Sequence, residues 1–468
     1  MTETASAPVV RRRRHARRLH AVPGKDRVPE LPDLLLAQAV PLFSGMVVTF
    51  FTAQVLGPAG RGSLTFVIST AGLVGCLLQA SLHVGAVHGH RRGDARALSV
   101  GLAASGALAG AVVALGAALL LLPPYRFGQL TPNQTLVIAC GAAATALAWY
   151  LTRTLQALGR SREYRDVLAM QSLIYVCLAV GAAALWKRPG PVIAVWIAVL
   201  LISALAAARR LRPWLPAFTP REGRWGELLA SSLSAHAGLT GQQLLFRADI
   251  VALGLLASPE QVGIYSIAVF LAELVSRIAE ALAMAALGEG RTALTPAARR
   301  RRRRQLLRLY ARLASGVALA VAVCTVLLLP WALPAYSDAV PLVLILLPGV
   351  VASGSARIML SSIIASDARR SSVIAGGVAG ALSLVFLPMV SVWQATGAAI
   401  ASSVLYGAQW IYCRLLVRRL DVVTSDLTVG HGSQPDLGSR YCKSPSLSEQ
   451  NATETAPKAV GQLPAIDR

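Results

Sequence analysis

The sequence carries few charged residues for its length. Charged side chains make up 14% of the 468 residues, whereas a soluble globular domain carries about 25%. Acidic residues are scarcer than basic ones, with 22 Asp and Glu against 45 Lys and Arg. Apolar stretches recur along the chain instead. Each stretch has about 20 residues, which is long enough to cross a bilayer as a helix. This composition excludes an ordinary soluble domain and predicts a polytopic membrane protein.

The sequence motifs of several enzyme classes are also absent. There is no lysine-containing phosphate-binding loop, no G-x-S-x-G and no H-E-x-x-H. The six cysteines show no C-x-x-C or Cys/His spacing, so the pattern supports neither a disulfide framework nor a metal site. We therefore expect no enzymatic activity, no cofactor and no bound metal.

The apolar segments predict an all-α fold with about twelve membrane spans. The predicted spans are 34–56, 63–84, 97–122, 134–152, 166–186, 191–208, 228–256, 262–287, 307–329, 339–364, 371–390 and 396–416. The C-terminal tail aside, the connections and N-terminal segment on one side hold 34 Lys and Arg, and those on the other side hold 4. Because basic connections stay in the cytoplasm, both termini are expected there, with the chain in the inner membrane of a bacterium.

The placement of the arginines bears on the choice of partner. They lie between apolar segments, which favours contact with anionic membrane lipids over binding to nucleic acid. The segments at the two ends of the chain are polar and lack an amphipathic period, which is typical of disorder. We expect four parts: a basic disordered arm (1–30), a first six-helix lobe (31–210), a second six-helix lobe (211–420) and a disordered cytoplasmic tail (421–468).

An internal repeat supports the division into two lobes. The stretch 62–74, at the start of the second span, matches 263–275, at the start of the eighth. Identical residues stand at equal offsets, namely Gly62/Gly263, Ala71/Ala272, Leu73/Leu274 and Val74/Val275. Six spans separate the copies, so they run in the same direction, as parallel repeats do. Chance similarity between segments rich in Gly, Ala and Leu is the alternative.

The eighth span carries charges within its apolar length. Glu273, Arg277 and Glu280 are spaced i, i+4, i+7 and project from one helix face. Charged residues inside a membrane are costly and are usually functional. One interpretation is a self-neutralising ladder that holds the helix against its neighbours. The other is a hydrated cavity between the lobes, where arginine binds phosphate and the glutamates bind a proton or Na⁺.

The seventh and tenth spans add three further charges. Arg247 and Asp249 are two residues apart, so on a regular helix they point about 200° away from each other. Each therefore needs a partner on another helix, either for structural pairing or for function. Arg357 lies toward the cytoplasmic end of the tenth span, where it either extends to the interface or lines the cavity.

Three stretches resemble a known family. They are 56–62 (Leu-Gly-Pro-Ala-Gly-Arg-Gly), 247–254 (Arg-Ala-Asp-Ile-Val-Ala-Leu-Gly) and 263–268 (Gly-Ile-Tyr-Ser-Ile-Ala). They are similar to the O-antigen-type polysaccharide-biosynthesis flippases of the multidrug/oligosaccharidyl-lipid/polysaccharide (MOP) exporter superfamily. The resemblance implies a MATE-like fold of two six-helix lobes around a cationic cavity, with alternating access driven by an ion gradient. It places Arg247 and Asp249 on the family's Arg-x-Asp at the start of the second lobe.

The expected function is that of a secondary transporter. It would flip polyprenyl-diphosphate-linked oligosaccharide across the membrane for surface polysaccharide assembly. The residues expected to bind this substrate are Arg247, Arg277 and Arg357. Those expected to couple ions (H⁺ or Na⁺) or to act in gating are Asp249, Glu273 and Glu280. We expect a monomer, acting alone or with glycan-assembly proteins.

Three alternatives remain at this stage. A multidrug or cation antiporter of the same superfamily would need a cavity dominated by acidic residues. A membrane glycan polymerase or ligase would need a large external loop, and the predicted external connections are too short for one. A membrane scaffold without transport activity is the third.

Overall fold

The computed structural model describes residues 31–94, 96–121, 130–215, 225–289, 296–364 and 369–430. Helix dominates these residues. In chain order the helices are α1 (Leu31–Leu78), α2 (Leu82–Arg91), α3 (Ala97–Ala118), α4 (Pro132–Ala157), α5 (Ser161–Trp186), α6 (Pro189–Leu211), α7 (Trp225–Leu256), α8 (Pro259–Glu289), α9 (Pro296–Ala332), α10 (Ala339–Ile364), α11 (Arg369–Leu382) and α12 (Phe386–Gly430). The predicted arm 1–30 and the tail beyond 430 lie outside the described residues, and α12 extends past the predicted start of the tail at 421.

The two longest helices are each broken once. α1 has 48 residues and is interrupted at Gly57, where φ is 65° and ψ is 178°. This region of backbone space is open essentially to glycine alone. α12 has 45 residues and is interrupted at Gln394, where φ is 46° and ψ is −127°. We call the parts of α1 before and after Gly57 α1a and α1b.

The described helices follow the order of the twelve predicted spans. Nine stretches of the described residues are long and apolar enough to cross a membrane, and two of them, Ala39–Arg91 and Gly376–Leu420, contain a break. Each of these two covers two predicted spans. α7, with 32 residues, covers a further predicted span but is not among the nine. The prediction differs at α12, which ends at Gly430 rather than near 416, and at α9, which begins at Pro296 rather than near 307, so that the arginine run 299–304 is helical.

Local sequence explains where several helices begin. Proline is the first residue of α4, α6, α8 and α9, where its missing N–H costs nothing and its φ suits a helix. Before α4, the Thr131 hydroxyl accepts from the Gln134 N–H, and the Gln134 side chain accepts from the Thr131 N–H. This reciprocal pair satisfies two of the free donors at the helix start.

Contacts between connections separate the two ends of the helix bundle. Arg91 donates to the carbonyl of Ala157 at 2.6 Å, and Arg160 donates to the carbonyl of Arg210 at 3.0 Å. The ends of the second, fourth and sixth crossings therefore lie together, at what we call the arginine-rich end. At the opposite, arginine-poor end, the Tyr336 hydroxyl donates to the carbonyl of Ala53 at 3.2 Å.

The first and second halves of the bundle meet most closely where α1b crosses α8. A Cβ added at Gly62 would lie 1.7 Å from the carbonyl oxygen of Pro259, and one added at Gly263 would lie 2.0 Å from that of Pro58. The two glycines are a matched pair of the repeat, and each prolyl carbonyl lies four residues before the glycine of its own helix. We call this reciprocal contact the Gly62–Gly263 crossing. Only a residue without a side chain permits such a backbone approach.

The crossing leads to a clear prediction for Gly263→Ala. The added methyl group must push α1b and α8 apart, so we expect a loss of about 1–3 kcal/mol of stability, measured by thermal or denaturant unfolding of the purified protein. Gly181→Ala is the matched control, because a Cβ added there has no atom within 4 Å. If the two variants unfold alike, the close packing at the crossing is refuted.

Candidate substrate and ion site

The buried charges lie near the middle of α8. At 1.5 Å per residue, Glu273 is about 15 Å along the helix from Gly263 and Glu280 is about 25 Å from it, on a helix of about 46 Å. Between the crossing and these charges, Phe270 packs edge-on against Phe50 of α1a, with ring centroids 6.4 Å apart. The halves are therefore held together at the arginine-poor end, and the charges begin beyond that contact.

Arg247 of α7 pairs with α8 rather than with its sequence neighbour Asp249. One Nη of Arg247 lies 3.4 Å from a carboxylate oxygen of Glu273. The two side chains are 35% and 21% exposed, so neither is sealed inside the bundle. Arg247 also interacts electrostatically with Asp249 and, more weakly, with Glu280, which places this pair beside the next group of charges.

Glu280 is shared by two arginines. Its two carboxylate oxygens accept from Arg277 of the same helix at 3.0 Å and from Arg357 of α10 at 2.7 Å. The Arg357 guanidinium also lies over the Phe246 ring of α7, 4.8 Å from its centroid, a favourable cation–π position. Of the two alternatives for Arg357, the structure places it with the other charges rather than extended to the interface.

Together these five residues form what we call the central cluster: Arg247, Glu273, Arg277, Glu280 and Arg357. Three guanidinium groups face two carboxylates, which leaves one net positive charge. Each side chain is between 19% and 37% exposed. A guanidinium has five N–H donors, so the arginines retain donors for an anion even while they hold the glutamates.

Asp249 lies apart from the central cluster and is 1% exposed. One carboxylate oxygen accepts from the Ile250 N–H at 2.7 Å. The other accepts from the hydroxyl of Tyr265 at 2.6 Å and from that of Ser402 at 3.1 Å. Among the described residues no arginine or lysine lies within ion-pair distance of it. The carboxylate is thus held by neutral donors from α7, α8 and α12.

The structure brings together five of the six predicted site residues and separates the sixth. Arg247 and Asp249 do not pair with each other, and both find a partner on α8, with Asp249 bound also from α12. Sequence reasoning missed Tyr265 and Ser402. Tyr265 stands inside the repeated motif, which is a usable signal, whereas nothing near Ser402 marks it. In the part of the chain that is described, no group of three His, Cys, Asp or Glu side chains is suited to hold a metal ion.

Comparisons of sequence find no relatives: no protein-family model matches the chain, and no curated protein does. Comparisons of structure do find similar folds. The lipid II flippase MurJ in an inward closed conformation superposes with a TM-score of 0.65 at 11% identity, covering 86% of this chain and 93% of MurJ. The MATE multidrug transporter DinF-BH gives a TM-score of 0.61 at 16% identity, covering 85% of this chain and 96% of that one.

A third similar structure is a MOP superfamily transporter from Pyrococcus furiosus, with a TM-score of 0.55 at 14% identity, covering 83% of this chain and 94% of that one. For that protein a reversed polarity of the binding pocket is described as suggesting a different function. The chain therefore has the MATE-like all-α fold that these structures share, and it has nine stretches among its described residues that are long and apolar enough to cross a membrane. The three similar structures are transporters or flippases rather than enzymes.

The shared carboxylate of Glu280 predicts energetic coupling to Arg357. We expect the stability losses of Glu280→Gln and Arg357→Gln to be non-additive in the double variant by about 1 kcal/mol, because removing Glu280 leaves Arg277 and Arg357 as adjacent like charges. The four proteins of this cycle are compared by thermal unfolding. Additive losses would show that the 2.7 Å contact between Arg357 and Glu280 contributes nothing to stability.

Proposed function

We propose that this protein is a secondary transporter that flips a lipid-linked oligosaccharide carried on a polyprenyl diphosphate. The observation that carries the proposal is the net positive, partly exposed central cluster midway along α8. A diphosphate is an acceptor-only group, and arginine binds it through paired N–H donors. Arg247, Arg277 and Arg357 would form that site.

The sign of the cluster favours this cargo over an organic cation. A cation site needs carboxylates that are free to face the cargo, but both glutamates here are paired with arginines. The Pyrococcus furiosus transporter, for which reversed pocket polarity is linked to a different function, supports the use of polarity as a criterion. A multidrug or cation antiporter remains the second candidate, because MATE transporters are among the similar folds.

Asp249 is the residue we assign to ion coupling. A carboxylate with 1% exposure and no cation within ion-pair distance among the described residues is stabilised on binding either H⁺ or Na⁺. Tyr265 and Ser402 supply two hydroxyl oxygens beside it. Because these groups come from α7, α8 and α12, ion binding acts on how three helices of one half pack. Glu273 and Glu280 act in gating through their arginine partners.

The transport cycle we propose uses the two six-helix lobes (31–210 and 211–420) as its moving parts. The Gly62–Gly263 crossing closes the arginine-poor end in the present state, and its separation would open that end. With the arginine-rich end and both termini in the cytoplasm of a bacterium, the cargo enters from the inner leaflet and leaves at the arginine-poor end.

Removing two positive charges from the central cluster tests the substrate. We expect Arg277→Gln with Arg357→Gln to lower the flipping rate of a polyprenyl-diphosphate oligosaccharide in proteoliposomes by at least about tenfold, because each lost charged hydrogen bond is worth about 1.5–3 kcal/mol. Arg414→Gln is the matched control, since Arg414 stacks on Trp410 outside the cluster.

Full flipping by the double variant would refute the site. Lack of flipping by the unmodified protein, together with export of an organic cation such as a rhodamine dye, would favour the antiporter instead.

Neutralising Asp249 tests the coupling. Asp249→Asn has nearly the same shape and cannot bind a proton or carry charge, so stimulation of flipping by an imposed H⁺ or Na⁺ gradient is expected to vanish, while Asp338→Asn, at an exposed position, retains it. The measurement is the initial rate with and without each gradient. Gradient-driven flipping in Asp249→Asn would assign the coupling to another residue.

A further inference from the structure

A second arginine site lies at the arginine-poor end, away from the central cluster. Arg61 stands in the first turn after Gly57, and its side chain turns back toward α1a. Its two terminal nitrogens donate to the hydroxyl of Thr52 at 2.9 Å and to that of Thr49 at 3.3 Å. The sequence pattern had counted Arg61 only as a basic residue of an external connection.

The charge on Arg61 is not neutralised by the surrounding protein. Among the described residues no carboxylate lies within ion-pair distance of it. The nearby groups that interact with it electrostatically are the phenols of Tyr175 and Tyr336. Arg61 therefore differs from the three central arginines, each of which faces a glutamate.

One edge of the guanidinium also lacks an acceptor. The Nε of Arg61 is enclosed and has no hydrogen-bond partner among the residues that the structure describes, and the adjacent terminal nitrogens each use one donor on a threonine. The Nε edge is a fork that matches two oxygens of a phosphate or carboxylate. A buried donor without a partner is unfavourable, so an anion that reaches this edge gains a strong interaction.

The position of Arg61 links that edge to the opening of the bundle. Its neighbour Gly62 packs against Pro259 and Gly263 in the crossing. Tyr336, from the connection before α10, is fixed on the Ala53 carbonyl beside it. Because α8 and Tyr336 belong to the second half of the chain, a separation of α1b from α8 would change the surroundings of Arg61.

We propose that Arg61 is a second anion-binding residue, which binds a phosphate or diphosphate group through its Nε edge when the Gly62–Gly263 crossing opens. The proposal rests on the proposed function for the opening of the crossing and for the identity of the cargo, a diphosphate that would be held here before release. A ligand that binds only the open state gains affinity as that state becomes more populated. Opening of the crossing and anion binding at Arg61 are therefore coupled.

Binding of sodium pyrophosphate to the purified full chain in detergent, measured by isothermal titration calorimetry, tests the proposal. We expect two sites in the unmodified protein and one in Arg61→Gln. In a background where Arg247, Arg277 and Arg357 are all Gln, Arg61→Gln should lower the remaining affinity at least tenfold, with Arg61→Lys intermediate. Gly263→Ala should tighten binding at the Arg61 site, because it holds the crossing open.

Thr49→Val with Thr52→Val separates this role from a structural tie between α1a and α1b. If Arg61 binds an anion, removing the competing hydroxyls keeps or raises the affinity of its site for pyrophosphate. If Arg61 only ties α1a to α1b, the threonine variant loses the site as Arg61→Gln does. Unchanged stoichiometry in Arg61→Gln, or loss of the same site in the threonine variant, overturns the proposal. These binding results are independent of flipping, so a failure of the proposed function appears separately, as pyrophosphate binding without transport.

Repeating the titration in nanodiscs identifies the source of the phosphate. Phosphatidylglycerol that competes with pyrophosphate, where phosphatidylcholine does not, would show that Arg61 holds a lipid headgroup. Equal binding of pyrophosphate in both lipids would indicate that the ligand of Arg61 is the cargo rather than a lipid headgroup. If neither lipid supports pyrophosphate binding that depends on Arg61, the proposal is contradicted.

Discussion

The backbone contact between α1b and α8 is the constraint on which the arrangement of the halves depends. At the Gly62–Gly263 crossing the two helices approach so closely that neither position has room for a methyl group. In a bilayer, where lipid is as apolar as the helix surface, such close van der Waals packing is a main source of helix association. Because the contact is reciprocal and spans a sequence repeat, it joins equivalent segments of the two halves.

The position of the central cluster along the bundle is linked to the Gly62–Gly263 crossing through α8. α8 takes part in the crossing near its first residues, and the same helix carries Glu273, Arg277 and Glu280 further along. A rigid helix fixes the distance between the two features, so any movement at the crossing is transmitted to the level of the central cluster. Asp249 bonds to Tyr265 of α8, two residues beyond Gly263. The crossing, the buried carboxylate and the cluster therefore share one structural element.

Hydropathy and charge alone were enough to predict the order and approximate bounds of the helices, since length and apolar character are properties of each segment by itself. That Arg247 and Asp249 do not pair with each other was also predictable, because helix geometry points them apart. The partners of the charged residues could not be predicted. The contact of Arg357 with Glu280 and that of Ser402 with Asp249 join residues 77 and 153 positions apart, and a single sequence carries no record of such distances. The helical start of α9 was missed because six arginines resemble a connection.

Charge distribution explains how one bundle can hold both an anion and a cation. In the central cluster each carboxylate is bound by arginine, which leaves the positive sign to face an incoming group. Among the described residues, the hydrogen bonds to the Asp249 carboxylate all come from neutral donors, so its negative charge remains for an ion. If Asp249 lay within the central cluster, an arginine would neutralise it, and the added carboxylate would repel phosphate. Arg247 and Asp249 are only two residues apart on α7, yet Arg247 pairs with Glu273 and Asp249 with Tyr265, which stand eight residues apart on α8.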